Sequence, residues 1–410
     1  MRKISARNKQ KNISNMEHKV NINDKIRGSL IAGAMGDALG YEVEFMHRNA
    51  ILAEYGEKGI TKLALDERGK TQISDDTQMT LFTAAGMLMG ITRGYMRGIG
   101  GRPEYYVTDA YKDWYYTQQR TAPENYHNHT WLFHIKELYS RRAPGLTCLH
   151  ACEDIIAGRE VRNNSKGCGG IMRVAPMPLL LASCACAGHC PYDLEEMAVA
   201  CAEVASCTHK HPLGFLPAAL LGIFLYKIAF LNATQVKEQI ELLVADSLQI
   251  IDNIYKDDFI KHKKYLRQLT EKALKLAFSS VADADAIAEL GEGWVAEETW
   301  AVALFCAVRH INSPEQAIIA SVNHDGDSDS TGSVTGNIMG AIYGYNYIKE
   351  RNLLCPEGCE IEQTLELANI ILTIADDLTT SCIINEYDYH DTTEKQQWFD
   401  RYCEHLPAGV

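Results

Sequence analysis

From Asn23 onward, apolar residues recur at helical spacing in one window after another. The windows are Ile26 to Leu39, Thr77 to Met89, Leu194 to Cys207, Leu216 to Leu231, Val236 to Tyr255, Tyr265 to Phe278, Trp294 to His310, Thr331 to Glu350 and Ile361 to Leu378. Alternating β-branched runs are few, so the pattern predicts an all-α chain. The apolar run from Gly214 to Phe230 contains Pro217 and Lys227 and reads as a core helix rather than a membrane span. Residues 1–22 lack periodicity, carry five basic side chains before Glu17, and read as a disordered basic arm. No Pro/Gly/Ser linker divides the rest of the chain, which places residues 23–410 in one domain.

Two helices carry stripes of small residues. Gly332, Gly336, Gly340 and Gly344 recur every four residues, and Gly33, Gly36 and Gly40 interrupt Leu30, Ile31, Met35 and Leu39. Each helical glycine costs about 1 kcal/mol relative to alanine, so a stripe needs close backbone packing or close ligand approach to offset it. Both helices are expected to be central and neighbouring.

Composition narrows the function classes. The chain has 410 residues, 46% of them apolar, enough for a large core. A net charge of -13 argues against nucleic acid or an anionic membrane as the default partner. Thirteen cysteines without the spacing of a small disulfide scaffold read as reduced thiols, and the basic, polar start has no apolar run typical of a secretory signal. A cytoplasmic protein is expected.

The candidate chemistry lies in two acidic knots. In HDGDSDSTG, from His324 to Gly332, three aspartates alternate as in a calcium loop, but Ser330 stands where that loop needs glycine and Gly336 where it needs glutamate. The DxDxT spacing of Asp327 to Thr331 also fits a phosphatase nucleophile, yet about 80 mostly helical residues follow and no parallel sheet can be built from them. The second knot, ISDDTQM, precedes the helix at Thr77. Both therefore sit at helix N-termini, where capping alone accounts for a single aspartate. Two such knots ask for more. Asp75, Asp76, Asp327 and Asp329, with Ser74 and Ser330, offer hard oxygen ligands suited to Mg²⁺ or Mn²⁺. If they converge, their charge needs cations, and two divalent ions would supply balance and lower the pKa of a bound water.

Six segments in order, GSLIAGAMGDALGYEVEFM, SDDTQMTL, SKGCGGIMRVAPMPL, THKHPLGF, GEGWVAEETWAVAL and GDSDSTGSVTGNIMGAIYG, resemble the ADP-ribosylglycohydrolase family. The resemblance implies a single orthogonal helical bundle with two Mg²⁺ (or Mn²⁺) ions. Ser74, Asp75, Asp76, Asp327, Asp329 and Ser330 would be the metal ligands. It further implies that Glu44 lies on a mobile loop near the metals, and that the glycine-rich loop Ser165 to Arg173 brings Lys166, Gly167, Cys168, Gly169, Gly170 and Met172 to the ADP-ribose. His209 matches a position near the same ligand. Cys168 departs from the asparagine of some relatives, and no acid matches the one that some carry near residues 141–148. The activity implied is hydrolysis of a mono-ADP-ribosylated protein, with arginine as the modified residue and ADP-ribose as product. Glu44, or a metal-bound aspartate such as Asp76 or Asp327, would take the proton of the attacking water.

Alternatives remain at this point: another ADP-ribosyl linkage (to serine, a nucleic-acid end or a free metabolite), or an immunity protein whose arm blocks an ADP-ribosyltransferase toxin. The remaining features read blandly. His211 is a histidine at a helix start, Cys184, Cys186, His189 and Cys190 lack zinc-knuckle spacing, and Cys355 and Cys359 are likewise unassigned. Tyr111 to Tyr116 belong to the core, and Lys261 to Arg267 form a solvated helix face.

Overall fold

Helices account for the regular structure of the computed structural model, which describes residues 20–98, 100–188, 192–380 and 392–403. In chain order they are α1 (Ile22–Tyr41), α2 (Arg48–Tyr55), α3 (Asp75–Arg97), α4 (Pro103–Gln119), α5 (Leu146–Ile156) and α6 (Pro176–Ala187). Then come α7 (Leu194–Ser206), α8 (Pro212–Ile228), α9 (Ala233–Tyr255), α10 (Ile260–Ala277), α11 (Asp283–Leu290) and α12 (Ala296–Arg309). The last six are α13 (Pro314–Val322), α14 (Ser328–Tyr343), α15 (Tyr345–Arg351), α16 (Ile361–Thr364), α17 (Ala368–Thr380) and α18 (Thr393–Tyr402). Among the described residues there is no strand, only the isolated bridges Thr71–Leu365 and Gly167–Val295. The all-α expectation holds. Of the arm at 1–22, residues 1–19 lie outside the described residues, as do His189 and Cys190.

The two glycine stripes meet. A Cβ on Gly336 would stand 2.0 Å from the Ala32 carbonyl oxygen, one on Gly340 2.0 Å from that of Gly28, and one on Gly36 2.0 Å from that of Gly332. At the far end, a Cβ on Gly40 would stand 2.1 Å from the Ser328 carbonyl oxygen. Contacts that step by four along both chains in opposite directions define antiparallel helices packed backbone to backbone. Helix packing, not ligand approach, therefore accounts for the stripes. Its consequence is positional: the end of α1 lies beside the start of α14.

Gly344 packs in the same seam, where a Cβ on Gly28 would stand 2.7 Å from its Cα, but it ends the helix. It is the C-cap of α14 with φ of 81°, so the helix expected over 331–350 is two, α14 and α15. The expected helix over 361–378 is likewise divided, into α16 and α17, with Leu367 at φ 59° between them.

Around this pair the helices sort by burial. α8 is the expected core helix, buried along Leu216 to Leu225, and Phe224 packs edge-on to Trp300 of α12 with ring centroids 5.6 Å apart. α9 begins with an Asn232–Gln235 capping box and buries Val236, Ile240, Leu243, Leu248 and Ile251 on one face. On α10, Lys261 and Lys264 are solvated as expected, but Lys263 is buried with its Nζ 2.6 Å from the Lys256 carbonyl. Tyr111 and Trp114 are core, whereas Tyr115 and Tyr116 are half-buried. The eleven described cysteines are free thiols. Among the described residues, no helix is long and apolar enough to cross a membrane.

Candidate active site at the meeting of two helix N-termini

Both acidic knots cap helices, and the caps face each other. Ser74 is the N-cap of α3 and its hydroxyl accepts from Asp76 N at 3.1 Å; Asp327 is the N-cap of α14 and accepts from Ser330 N at 3.2 Å. The Ser330 hydroxyl then donates to Asp76 Oδ2 at 2.8 Å, joining knots 254 positions apart. α3 starts at Asp75, two residues before the expected Thr77, which puts Asp75 and Asp76 in its first turn.

Asp37 sets that geometry. This fully buried acid of α1 accepts from Ser74 N at 3.0 Å, from Thr77 N at 3.1 Å and from the Thr77 hydroxyl. It holds the start of α3 against α1, and through the glycine seam against α14. Glu44 follows α1 and is buried, with Oε2 lacking any hydrogen-bond partner. Asp325 is exposed and accepts from Arg48 N at 2.7 Å, fastening the start of α2 to the acidic loop.

The GEGW segment ties the acids to the glycine-rich loop. The Glu292 carbonyl accepts from Asp327 N at 2.8 Å, and the Trp294 carbonyl accepts from Cys168 N at 3.2 Å. The Cys168 thiol in turn donates to Asp327 Oδ2 at 2.8 Å. Residues Cys168–Gly170 form a single 3₁₀ turn. A Cβ on Gly169 would stand 2.8 Å from His209 Cε1, and one on Gly170 2.6 Å from the Gly214 carbonyl oxygen, so neither position admits a side chain. Met172 Sδ lies 4.0 Å from the Ser330 hydroxyl. Lys166 points elsewhere, into an ion pair with the fully buried Glu297. Phe45 and Trp294 stack at the rim, 6.3 Å apart and 23° from parallel.

The electrostatics are one-sided. Burial, and then the charge of Asp329, push the Asp75, Asp76 and Asp327 carboxyls well above the usual carboxylate range. Asp37 is pushed up to about 7 and Glu44 to about 10, by burial and then Asp329. Among the described residues no ion pair involves Glu44, Asp75, Asp76, Asp327 or Asp329. Equally, no three His, Cys, Asp or Glu side chains among them close around a point as a metal shell. His209 is buried, and burial followed by the Arg173 charge pulls its ring down to about 3, so it is neutral.

The structure thus gathers Ser74, Asp75, Asp76, Asp327, Asp329, Ser330, Glu44, Cys168 and Met172 in one cleft, with His209 beneath the glycine turn. The Lys166 side chain does not join them. Asp37 and the Glu292 and Trp294 carbonyls were missed. Asp37 had a readable signal, an acid inside an otherwise apolar, small-residue helix face; the carbonyls had none. A hollow of about 810 Å³ lined by Arg102, Tyr192, Glu203 and Ile254 shares no residue with this cleft. The concentrated acids and the orphaned Glu44 oxygen make the acidic cluster, rather than this hollow, the chemical candidate.

Comparison with known proteins bears on the fold and its chemistry. Residues 18–383 match the family model described as ADP-ribosylglycohydrolase. ADP-ribosylhydrolase ARH3 of Homo sapiens is 26% identical over 230 residues, covering 51% of this chain and 60% of that protein. The chain spans about three fifths of the length of the mammalian ARH3 proteins it matches. The ADP-ribosyl-[dinitrogen reductase] glycohydrolase of Rhodospirillum rubrum is 24% identical over 333 residues, covering 80% of this chain and 88% of that one. A solved ADP-ribosylglycohydrolase-related protein complex superposes with a TM-score of 0.54 at 21% identity, covering 88% of this chain and 99% of that chain, which shows a shared fold. With its helical bundle, its facing acidic caps and a family match running from residue 18 to 383, the chain belongs to the ADP-ribosylglycohydrolase family, whose members hydrolyse glycosidic ADP-ribose linkages.

Proposed function

We propose that this chain hydrolyses the glycosidic bond of a mono-ADP-ribosylated protein, with arginine as the modified residue, and releases ADP-ribose. The observation that carries the reading is the cleft itself: Asp75, Asp76, Asp327 and Asp329 at two facing helix starts, linked at 2.8 Å through Ser330 and bordered at 2.8 Å by the Cys168 turn. The THKHPLGF and GDSDSTG segments, which resemble those of arginine-specific members of the family, support arginine. The negative cluster also suits a cationic guanidinium group.

The donor set fits divalent cations. Carboxylates and hydroxyls are hard oxygen ligands, they lack a counter-cation, and Glu44 Oε2 is a buried acceptor without a donor. Ser74, Asp75, Asp76, Asp327, Asp329 and Ser330 would hold two Mg²⁺ or Mn²⁺ ions. When bound, these supply charge balance, ribose orientation and an activated water. The chain's own residues do the rest. Glu44, buried beside the acids with Oε2 free of any hydrogen-bond partner, is suited to take the proton that the attacking water gives up, and Asp76 and Asp327 are the other candidates. Burial of the acids excludes bulk water. The free thiols support a reducing, cytoplasmic setting.

Purified protein should release ADP-ribose from arginine-modified protein and not from serine- or nucleic-acid-linked ADP-ribose assayed in parallel. EDTA should stop the reaction and Mg²⁺ or Mn²⁺ restore it; full turnover after exhaustive chelation would falsify the metal assignment, and a preference for another linkage would reassign the substrate.

Stability carries a second, activity-free readout. The folded-state values of these carboxyls lie above their unfolded values, so the folded chelated protein binds more protons than the unfolded one. Its stability is fullest below about pH 4 on this account and is lost as pH rises toward about 7 for Asp37 and about 10 for Glu44. The melting temperature of chelated protein should therefore fall between about pH 5 and pH 8. Mn²⁺ at a hundred times its Kd should restore about 2.7 kcal/mol at the upper pH. A melting temperature that rises over that interval without metal would contradict the electrostatic account.

A further inference from the structure

The acids of the cleft are buried, yet residues beside them in the chain are not. Glu44 is followed by Phe45, which is 75% exposed and the most exposed large apolar side chain among the described residues. Gly145, whose N donates to Asp75 Oδ2 at 3.3 Å, is followed by Leu146, 66% exposed. Trp294, whose carbonyl accepts from Cys168 N, is 39% exposed, whereas Trp114, Trp300 and Trp398 are buried. Single exposed apolar side chains are ordinary; three that separate segments carry to one acidic centre ask for a partner.

Fixed backbone imposes this exposure. Val43 and Glu44 are buried, Met46 N donates to the Val43 carbonyl at 2.9 Å, and Arg48 N fastens the far side of the turn to Asp325 at 2.7 Å, so Phe45 is held outward. Before Trp294, Gly293 has φ of 82°, and a Cβ there would stand 3.3 Å from the Asp327 carbonyl oxygen. The Thr299 hydroxyl donates to the Gly293 carbonyl at 2.7 Å. The Phe45 and Trp294 rings meet at 6.3 Å and 23°, and most of the Phe45 ring still faces solvent.

The centre behind this rim is negative even when loaded. Asp37, Glu44, Asp75, Asp76, Asp327 and Asp329 are six buried carboxyls, and two divalent ions would bring four positive charges. A group drawn here is therefore cationic, and it needs an apolar part to cover the rim. An arginine side chain has both, a planar guanidinium that stacks on aromatic faces and a methylene stem. Glycosylation at a guanidinium nitrogen leaves the positive charge in place.

We propose that Phe45, Trp294 and Leu146 form the docking rim for the arginine side chain of the target protein, with its guanidinium stacked on the two rings. The linkage rests on the function proposed above; guanidinium binding at the rim does not.

The test uses the full chain with Mg²⁺ and reads binding of arginine methyl ester by saturation-transfer NMR. Lysine methyl ester supplies a compact cation and citrulline methyl ester an uncharged isostere. Wild type should favour the arginine ester over both. Phe45→Leu and Trp294→Leu keep an apolar side chain but lose the ring face, and each should weaken that ester about fivefold. Phe45→Tyr and Trp294→Phe should restore it. On ADP-ribosyl-arginine the leucine variants should raise KM more than they lower kcat. Equal binding of the three esters, or leucine variants that bind the arginine ester as wild type does, overturns the proposal. So does a leucine variant whose affinity for ADP-ribose falls as far as that for the ester, which would assign the rim to ADP-ribose. Wild type that binds the arginine ester through both rings yet hydrolyses only a serine-linked substrate overturns the function proposed above and leaves the guanidinium site standing.

Discussion

Asp329→Asn should cut ADP-ribose release by about 10³-fold or more, while the chelated variant melts at a higher temperature than the parent. The two effects have one cause. Asp329 is the foremost neighbouring charge that raises the carboxyls of Asp37, Glu44, Asp75, Asp76 and Asp327. Removing it relieves self-repulsion in the empty cleft and removes a ligand from the loaded one. The fold should survive, because an amide oxygen can still accept from Ser330 N, the bond that Asp329 Oδ1 makes at 2.8 Å. Asp75→Asn should lose activity as severely, since Asp75 is one of the four clustered carboxylates and its Oδ2 also anchors Gly145 N at 3.3 Å. Turnover with Mn²⁺ and calorimetry in EDTA measure the two halves separately. Wild-type turnover in either variant would remove these residues from the proposed metal set, and a lowered melting point of chelated Asp329→Asn would contradict the repulsion argument.

Gly336→Ala should destabilise the protein by about 3 kcal/mol or more, and Gly94→Ala should leave it unchanged or stabilise it by up to about 1 kcal/mol. Both glycines lie inside helices. At Gly336 the added carbon would stand 2.0 Å from the Ala32 carbonyl oxygen and 2.8 Å from Gly33 N, both backbone atoms that cannot rotate away. At Gly94 the nearest atom is Gly100 Cα at 3.6 Å, an ordinary contact, so only the helical preference of alanine remains. Because the seam joins α1, whose Asp37 holds the start of α3, to α14, whose Ser330 bonds to Asp76, Gly336→Ala should lower metal affinity along with stability. Denaturant melts of both variants give the comparison; equal stability in the two would show that the seam can open without cost.

Helices with a strong apolar period were legible: α7, α8, α9 and α12 lie within a few residues of their expected windows, while α3 runs on to Arg97, past the expected end at Met89. α4, α6 and α13 were not read, although each begins with proline at its first position, a start signal independent of periodicity. Their apolar faces are short or nearly continuous, so the period that marks an amphipathic helix is faint. The opposite error joined α14 to α15. Gly344 continues the four-residue glycine spacing, and only its φ of 81° shows that the chain turns there.

In the site the division is equally physical. Residue types and local order determined which groups are present: two acidic helix starts, a glycine turn, a histidine after threonine, and a family pattern that names the bundle. Capping geometry is local, so those assignments needed no tertiary information. Which groups meet was decided elsewhere. The seam of α1 and α14 brings knots 254 positions apart within one hydrogen bond, Asp37 fixes the start of α3, and Glu297 takes the Lys166 side chain away from the cleft. Whether a buried carboxylate keeps its charge, and whether the His209 ring stays neutral, depends on burial and on neighbours brought in by packing. Those quantities belong to the folded chain alone.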